Sequence, residues 1–371
     1  MTPFDPTLRQ RKSAAFELSS NSSARATRPV DFWGQSREVY ANANLSVYSG
    51  QRCNARCAFC VEELRPASRG RELAPTRTTL EDETAYFGAL GRVLAAVRPL
   101  DPSVSVTGGE PSKDPRLPRI LRTLEAHGAR KRTLTTNGSG LFDAREGRTV
   151  LDWIVTTGVR HLNVSRAHVD DGENARRMGY DASPGWETLR AAVERTRGTD
   201  TRLRLSCVLL RGGVEGLGDV MGYLEAAREA GIDNVVFRRL MATDPTTVTV
   251  NSVVRYSDRH RLPLEPLLDS VSADGRFTFV KQVVGYYYYV EVFRYRGVDV
   301  VFEEADLALL EARKRETPGL VHELVFHPNG ALSSTWQPWD DVLGPPPETC
   351  PSAETLALGQ ASEEPRARSA P

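Results

Sequence analysis

The sequence predicts an α/β protein built on a parallel sheet. β-rich runs recur at residues 44–48, 103–107, 132–136, 161–165, 202–210 and 234–240. Segments of helical periodicity lie between them. Six strands alternating with helices call for right-handed crossovers, which set the strands parallel. Such a sheet is either open and doubly wound or curled into a full or partial barrel. Both forms place reactive groups at the C-terminal ends of the strands.

The clearest helix is expected over 79–97, where Tyr86, Leu90, Val93 and Val97 share one face and Thr79-Leu80-Glu81-Asp82 reads as a capping-box variant. A second carries Leu117, Ile120, Leu121 and Leu124 on one face, and a third carries Leu217, Val220, Met221 and Leu224 and stops before Gly231. After about residue 245 the rhythm changes. Strands are expected at 277–284, 286–294 and 298–303, then a helix at 305–314 and a hairpin over 321–336 turning at Pro328-Asn329-Gly330. The organisation expected is a flexible segment over 1–35, the βα alternation over 36–245, a β-rich region over 246–343 and a disordered Pro/Glu/Ala/Ser tail over 344–371.

The 371 residues include 48 Lys plus Arg and 48 Asp plus Glu, so the formal net charge is zero. A duplex nucleic-acid binder normally carries a basic excess, so no nucleic-acid partner is expected. No apolar run reaches the roughly 18 residues that span a bilayer. The first twenty residues lack the apolar core of a secretory signal. A cytoplasmic protein with no membrane partner is therefore expected.

Five cysteines make no disulfide framework in a chain this long, and three of them fall within eight residues, Cys53-Asn54-Ala55-Arg56-Cys57-Ala58-Phe59-Cys60. The triplet follows the first strand of the alternation. Structural zinc usually takes two separated cysteine pairs, and an iron–sulfur cluster ordinarily takes four cysteines. Three ligands on a cluster would leave one iron open to a small molecule. Incidental loop cysteines, or a zinc knuckle completed from elsewhere, are the bland alternatives.

Cys-x3-Cys-x2-Cys with an aromatic before the last cysteine resembles the signature of the radical S-adenosylmethionine (SAM) superfamily. That resemblance implies a partial (βα)6 TIM-type barrel with a smaller C-terminal β-rich region. It also implies one 4Fe–4S cluster on Cys53, Cys57 and Cys60, with SAM chelating the open iron. The chemistry implied is reductive cleavage of SAM to a 5′-deoxyadenosyl radical that abstracts hydrogen from substrate. An electron donor such as flavodoxin or ferredoxin follows as a partner.

Further stretches match the superfamily. Thr107-Gly108-Gly109-Glu110-Pro111 ends the second strand and resembles the GGEP motif, which implies that Gly108, Gly109 and Glu110 hold the SAM amino group. Thr135-Thr136-Asn137-Gly138 ends the third strand, and Asn137 is expected in the SAM pocket. Ser165 and Arg166 end the fourth strand, with Ser165 near the ribose or carboxylate and Arg166 a candidate for the carboxylate. Phe59 is expected beside the cluster and adenine. Ser206, Val208 and Leu210 on the fifth strand either face the adenine or pack the barrel interior.

The candidate substrate residues are Arg238 and Arg239 at the end of the sixth strand, His168 after the fourth, and Tyr287 within Tyr286-Tyr287-Tyr288-Tyr289. Adjacent arginines on a strand point to opposite faces, so one can reach the cavity and pair with a substrate carboxylate or phosphate, the alternative being a surface ion pair. A lone histidine and a tyrosine-rich strand also have ordinary packing roles. Cys207 reads as a buried small hydrophobe.

The layout resembles that of the GTP-rearranging radical enzyme of molybdenum-cofactor biosynthesis. Its C-terminal cluster cysteines are missing here, since residues 321–343 contain no Cys. The expected activity is hydrogen abstraction from a small molecule (a sugar, nucleoside or amino-acid derivative) in specialised metabolism. One alternative is a peptide maturase, for which residues 1–35 offer no leader-binding module. A second is a non-catalytic iron–sulfur or zinc protein, which leaves Gly108-Gly109-Glu110-Pro111 unexplained.

Overall fold

Alternation along the expected strands sets the layers. In Arg202–Leu209 every second residue, Leu203, Leu205, Cys207 and Leu209, is buried, and the residues between are half-buried. One face of the sheet therefore packs against helices and the other stays open to a cavity. The computed structural model describes residues 4–10, 26–50, 52–60, 80, 82–242, 252–336, 338 and 340–344. The expected tail beyond 344 lies outside the described residues, as do Thr79, Trp339 and Cys350.

The described elements run in chain order. A short helix α1 (Pro6–Gln10) precedes β1 (Thr27–Phe32), β2 (Gln35–Tyr40), β3 (Leu45–Tyr48), α2 (Glu83–Ala96), β4 (Ser103–Thr107), α3 (Leu117–Ala126) and β5 (Lys131–Thr136). Then come β6 (Ala144–Arg145), β7 (Arg148–Thr149), α4 (Val150–Thr156), β8 (His161–Ser165), α5 (Asp171–Met178), α6 (Trp186–Thr196), β9 (Arg202–Leu209), α7 (Leu217–Glu229) and β10 (Asn234–Arg239). The remainder is α8 (Ser252–His260), α9 (Glu265–Ala273), β11 (Phe277–Val284), β12 (Tyr288–Tyr295), β13 (Val298–Ala305), α10 (Leu307–Glu316), β14 (Leu324–Phe326) and β15 (Leu332–Ser333).

The main sheet has 11 strands in the order β11-β12-β13-β10-β9-β8-β5-β4-β3-β14-β15. The six expected strands lie side by side in sequence order, β3 to β10, and every pairing among them is parallel. A doubly wound sheet would reverse its strand order at a switch point, and this one does not. The choice left open by the sequence therefore falls to the partial-barrel form. The C-terminal strands extend the same sheet at both edges: β14 joins β3 and β13 joins β10, each in parallel. Beyond β13, strands β12 and β11 continue antiparallel. No helix among the described residues is long and apolar enough to cross a membrane.

The helix before β4 starts later than the sequence suggested. Asp82 is its cap, accepting from the amides of Thr84 (2.8 Å) and Ala85 (3.4 Å). The tyrosine run also departs from expectation. Gly285 donates its amide to the Tyr288 carbonyl, so Tyr286 and Tyr287 form a turn and the strand begins at Tyr288.

Two parts of the segment read as a flexible leader are docked. β1 and β2 form a hairpin turned at Trp33-Gly34, and the Tyr40 amide reaches the Val321 carbonyl. In α1, Arg9 makes a bidentate pair with the fully buried Glu291 of β12, both contacts at 2.6 Å, and reaches Asp269 of α9 at 2.6 Å. Removing one partner of a buried charge pair leaves the other unpaired in a low-dielectric site. Glu291→Ala is expected to lower stability by about 3 kcal/mol or more. Urea denaturation checks this, and the variant should also become cleavable by trypsin near Arg9.

Candidate active site

The loop holding the cysteine triplet leaves the C-terminal end of β3 and is tied down by its neighbours. Beyond the paired strands the backbones after β3 and β4 stay hydrogen-bonded: Gly109 donates to the Gly50 carbonyl and Glu110 to the Arg52 carbonyl, both at 2.8 Å. Gly108 sits at φ +144°, and a Cβ there would lie 2.8 Å from the Gly50 carbonyl oxygen. The approach therefore requires glycine. On the other side, Arg56 donates its amide to the Met178 carbonyl at the end of α5 (3.0 Å). That contact depends on Gly179, where φ is +67° and a Cβ would meet the Arg56 carbonyl oxygen at 2.6 Å. The Cys57 thiol lies 3.4 Å from the Met178 carbonyl oxygen and 3.8 Å from its Sδ. Asn54 bridges to the loop after β5 through Asn137 Nδ2 (2.8 Å) and Ser139 Oγ (3.0 Å).

Glu110 joins these loops. Its buried carboxylate accepts at Oε1 from the Ser112 amide (2.8 Å), the Ser112 hydroxyl (2.6 Å) and the Thr136 hydroxyl, and at Oε2 from the Asn137 amide (2.6 Å). Burial raises its pKa, and the four hydrogen bonds oppose that rise. Tyr180 adds a further tie, donating its hydroxyl to the Asn137 carbonyl at 2.9 Å.

Cys53, Cys57, Cys60, Phe59, Gly108, Gly109, Glu110, Asn137, Ser165, Arg166, Arg238 and Arg239 all line one cavity of about 240 Å³. Ser206 and Val208 also line it, so the open face of β9 forms part of the wall, whereas Leu210 follows the strand and is buried outside the lining. Three candidates are placed otherwise than expected. The Arg166 side chain, almost fully buried, turns its terminal nitrogens to Asp171 (2.5 Å) and to the Val169 and Pro184 carbonyls, lies over the Trp186 ring, and leaves its buried Nε without a hydrogen-bond partner. His168 accepts from the Asp170 amide at 3.1 Å and is outside the cavity lining. Tyr287 lines a separate cleft with Tyr288, Tyr289 and Asp306, because the turn at Gly285 carries it away.

Both arginines at the end of β10 reach the cavity wall, where one was expected. Arg239 pairs with Glu304 and donates to the Leu262 carbonyl, while Arg238 stands 3.6 Å from Glu303. Met178, Met241 and Glu303 also line the cavity and were not anticipated. Glu303 had a signal in the sequence. The Glu-Glu pair of β13 matches the Arg-Arg pair of β10 in parallel register, Arg238 opposite Glu303.

Burial raises the Cys57 pKa, and nearby Cys60 and Cys53 raise it further, so the three thiolates disfavour one another. A cationic centre bound by all three would relieve that repulsion. Among the described residues no group of three or more His, Cys, Asp and Glu side chains is gathered closely enough to hold a single metal ion. A four-iron cluster takes its cysteines at separate corners, so three thiols spread along one wall suit its donor chemistry.

At the opposite, N-terminal end of the strands, His161 is held neutral. Burial lowers its pKa to about 4, helped by Arg204, Lys131 and Arg202, and its Nδ1 has no hydrogen-bond partner.

No family model and no curated protein matches the chain. Solved structures with similar folds include Streptococcus suis SuiB bound to precursor peptide SuiA (18% identity, TM-score 0.43, covering 62% of this chain and 45% of that one). SuiB bound to S-adenosylmethionine gives 15% identity, TM-score 0.47, and coverage of 80% and 60%. Escherichia coli coproporphyrinogen III oxidase HemN, a radical SAM enzyme, gives 16%, 0.40, and 63% and 52%. The chain thus spans about half to three fifths of the length of these proteins. With TM-scores below 0.5 and identities under 20%, these similarities assign no substrate.

Two outcomes are expected from this geometry. Gly108→Ala should cost about 1–3 kcal/mol of stability through strain at a glycine-only φ, and should lower the iron and sulfide bound per chain after anaerobic reconstitution. Melting curves and metal analysis check both. A histidine pKa held below its unfolded value means that the unfolded chain binds the extra proton first. Stability should therefore be flat above about pH 6.5 and fall between pH 6.5 and 4. His161→Asn should shrink that fall in a pH series of melting temperatures.

Proposed function

We propose that this protein is a radical SAM enzyme acting on a small molecule. One observation carries the reading: the three cysteines, the Gly108-Gly109-Glu110 turn and the ends of β5, β8, β9 and β10 converge on one cavity. Cys53, Cys57 and Cys60 hold one 4Fe–4S cluster, and SAM lies beside it. Bound there, the pair supplies one-electron cleavage of SAM and hydrogen abstraction from substrate. An electron donor such as flavodoxin or ferredoxin serves as partner.

The chain's own residues bind and orient. Glu110 Oε2 has one recorded donor and so retains acceptor capacity for an ammonium group. Gly108 and Gly109 bring backbone close to the ligand, and Asn137 and Ser165 present polar groups at adjacent strand ends. Phe59 and Met178 provide an apolar, polarisable wall beside the cysteines. The absence of cysteine from residues 321–343 supports a single cluster.

The test is anaerobic. The chain is reconstituted with iron and sulfide, reduced with dithionite, given SAM, and assayed for 5′-deoxyadenosine by mass spectrometry beside Cys57→Ala. Production by the wild type that falls to background in the variant is the expected result. A cluster-loaded wild type whose reduced EPR spectrum is unchanged by SAM, and which makes no 5′-deoxyadenosine, would overturn the reading in favour of a non-catalytic cluster.

A further inference from the structure

β13 adds a charged pair to the cavity wall. It joins β10 in parallel, and the register sets Arg238 beside Glu303. Both side chains line the cavity, and the strand order puts them at the far end from β3 and the cysteine loop. Neither residue has a part in holding the cluster or SAM.

The next residues along the same two strands behave differently. Arg239 is hydrogen-bonded to Glu304 and donates to the Leu262 carbonyl, and the paired side chains are 21% and 12% exposed. Arg238 and Glu303 approach only to 3.6 Å, beyond hydrogen-bond length, and are 39% and 30% exposed. Among the described residues Arg238 makes no hydrogen bond, its Nε is buried without a partner, and Glu303 accepts none. The charge of Glu303 also opposes the fall in the Arg204 pKa, but Arg204 lies outside the lining and its hydrogen bond goes to Asn163.

A partly exposed ion pair of this kind holds itself together weakly. It presents unused donors and unused acceptors side by side, on strands and not on loops. Its two charges cancel. An anion such as phosphate would be attracted at Arg238 and repelled at Glu303, and a simple cation would meet the reverse. A group carrying both signs on neighbouring atoms is attracted at both. Val208, opposite Arg238 in register, and Ala305, two residues after Glu303, flank the pair with apolar surface, which strengthens such contacts by excluding water.

We propose that the substrate is a free α-amino acid, or a molecule ending in one, whose carboxylate binds Arg238 and whose ammonium binds Glu303. The forked donors of Arg238 match a planar carboxylate, and Glu303 accepts from the ammonium. The two ligand groups leave one carbon as the two side chains leave adjacent strands, so one head group spans the pair. This names the substrate class for the enzymatic reading above and rests on it, but binding is measured without turnover.

The proteinogenic L-amino acids are screened against the full chain by saturation-transfer NMR. The strongest binder is titrated calorimetrically beside its carboxamide and its N-acetyl derivative. At least one amino acid should saturate a single site, and blocking either group should weaken binding about tenfold or more. The variants separate the roles: Arg238→Gln should no longer prefer the amino acid to its carboxamide, and Glu303→Gln should no longer prefer it to the N-acetyl form. A purely structural pair would not exchange preferences in this way. Both variants should melt near the wild-type temperature, and should one fail to fold, the other decides the matter with its own derivative. SAM is itself an amino acid, so the titration is repeated on the cluster-loaded chain with saturating SAM, where binding should persist. Displacement by SAM, no amino acid saturating the wild type, or both variants keeping the wild-type preferences would overturn the proposal. A chain that binds an amino acid yet makes no 5′-deoxyadenosine would leave this site standing and remove only the enzymatic reading. A chain that cleaves SAM but binds no amino acid would remove only the site.

Discussion

The buried carboxylate of Glu110 is the constraint on which the site depends. Three loops leave the strand ends separately, and each would be free to move without a common partner. Glu110 accepts from the Ser112 amide and hydroxyl, the Thr136 hydroxyl and the Asn137 amide, which fastens the chain after β4 to the chain after β5. Its own amide is bonded to the Arg52 carbonyl, one residue before Cys53. A charge-assisted hydrogen bond is roughly twice as strong as a neutral one, and several converging on one buried group polarise one another. The acid thus joins two of the loops, and the cysteine loop is set against them by the Glu110 and Gly109 amides, by Asn54 and by the Arg56 amide.

Much of the frame was readable from the sequence because it is local. Ser103–Thr107 and His161–Ser165 emerge with the bounds that β-branched patterning suggested. The cysteine spacing, Gly108-Gly109-Glu110 and the polar strand ends announced the cavity because the chemistry of those residue types is unusual for loops. What stayed hidden depends on partners distant in sequence. Met178 is an ordinary apolar residue at a helix end, and only the tertiary contact with Arg56 and Cys57 places it at the site. For Arg166 the sequence shows a charge at a strand end and not the Trp186 ring and Asp171 that hold its terminal nitrogens. Tyr287 looked like strand, but a turn closed by the Gly285 amide overrode β-propensity.

The edges of the sheet show the same limit. β12 and β13 were legible as a hairpin through Gly297, yet the parallel pairing of β13 with β10 is a long-range choice. Its trace is charge complementarity, two arginines ending one strand and two glutamates in the other. The N-terminal docking of Arg9 on Glu291 joins residues 282 positions apart, and nothing periodic marks it.

The two ends of the strands are tuned in opposite directions, with the cavity at the C-terminal end. Along the cysteine loop, burial and mutual repulsion push Cys57 and Glu110 towards their neutral forms. Towards the N-terminal ends of the strands, outside the cavity lining, burial and neighbouring cations push Arg204 towards its neutral form against the pull of Glu303, and leave Lys131 and His161 less readily charged. Within a protein interior these like-charge contacts weaken slowly with distance, so each end carries a standing cost in the bare chain. A folded protein selected for stability alone would interleave the signs, as it has done for Arg202, Arg239 and Arg294. Only the acidic end lines the cavity, and a cationic group held among Cys53, Cys57, Cys60 and Glu110 would offset the cost there. A wall of one sign orients a bound cation before every contact is complete, and the hydrogen bonds of Glu110 hold in place the loop segments that form it.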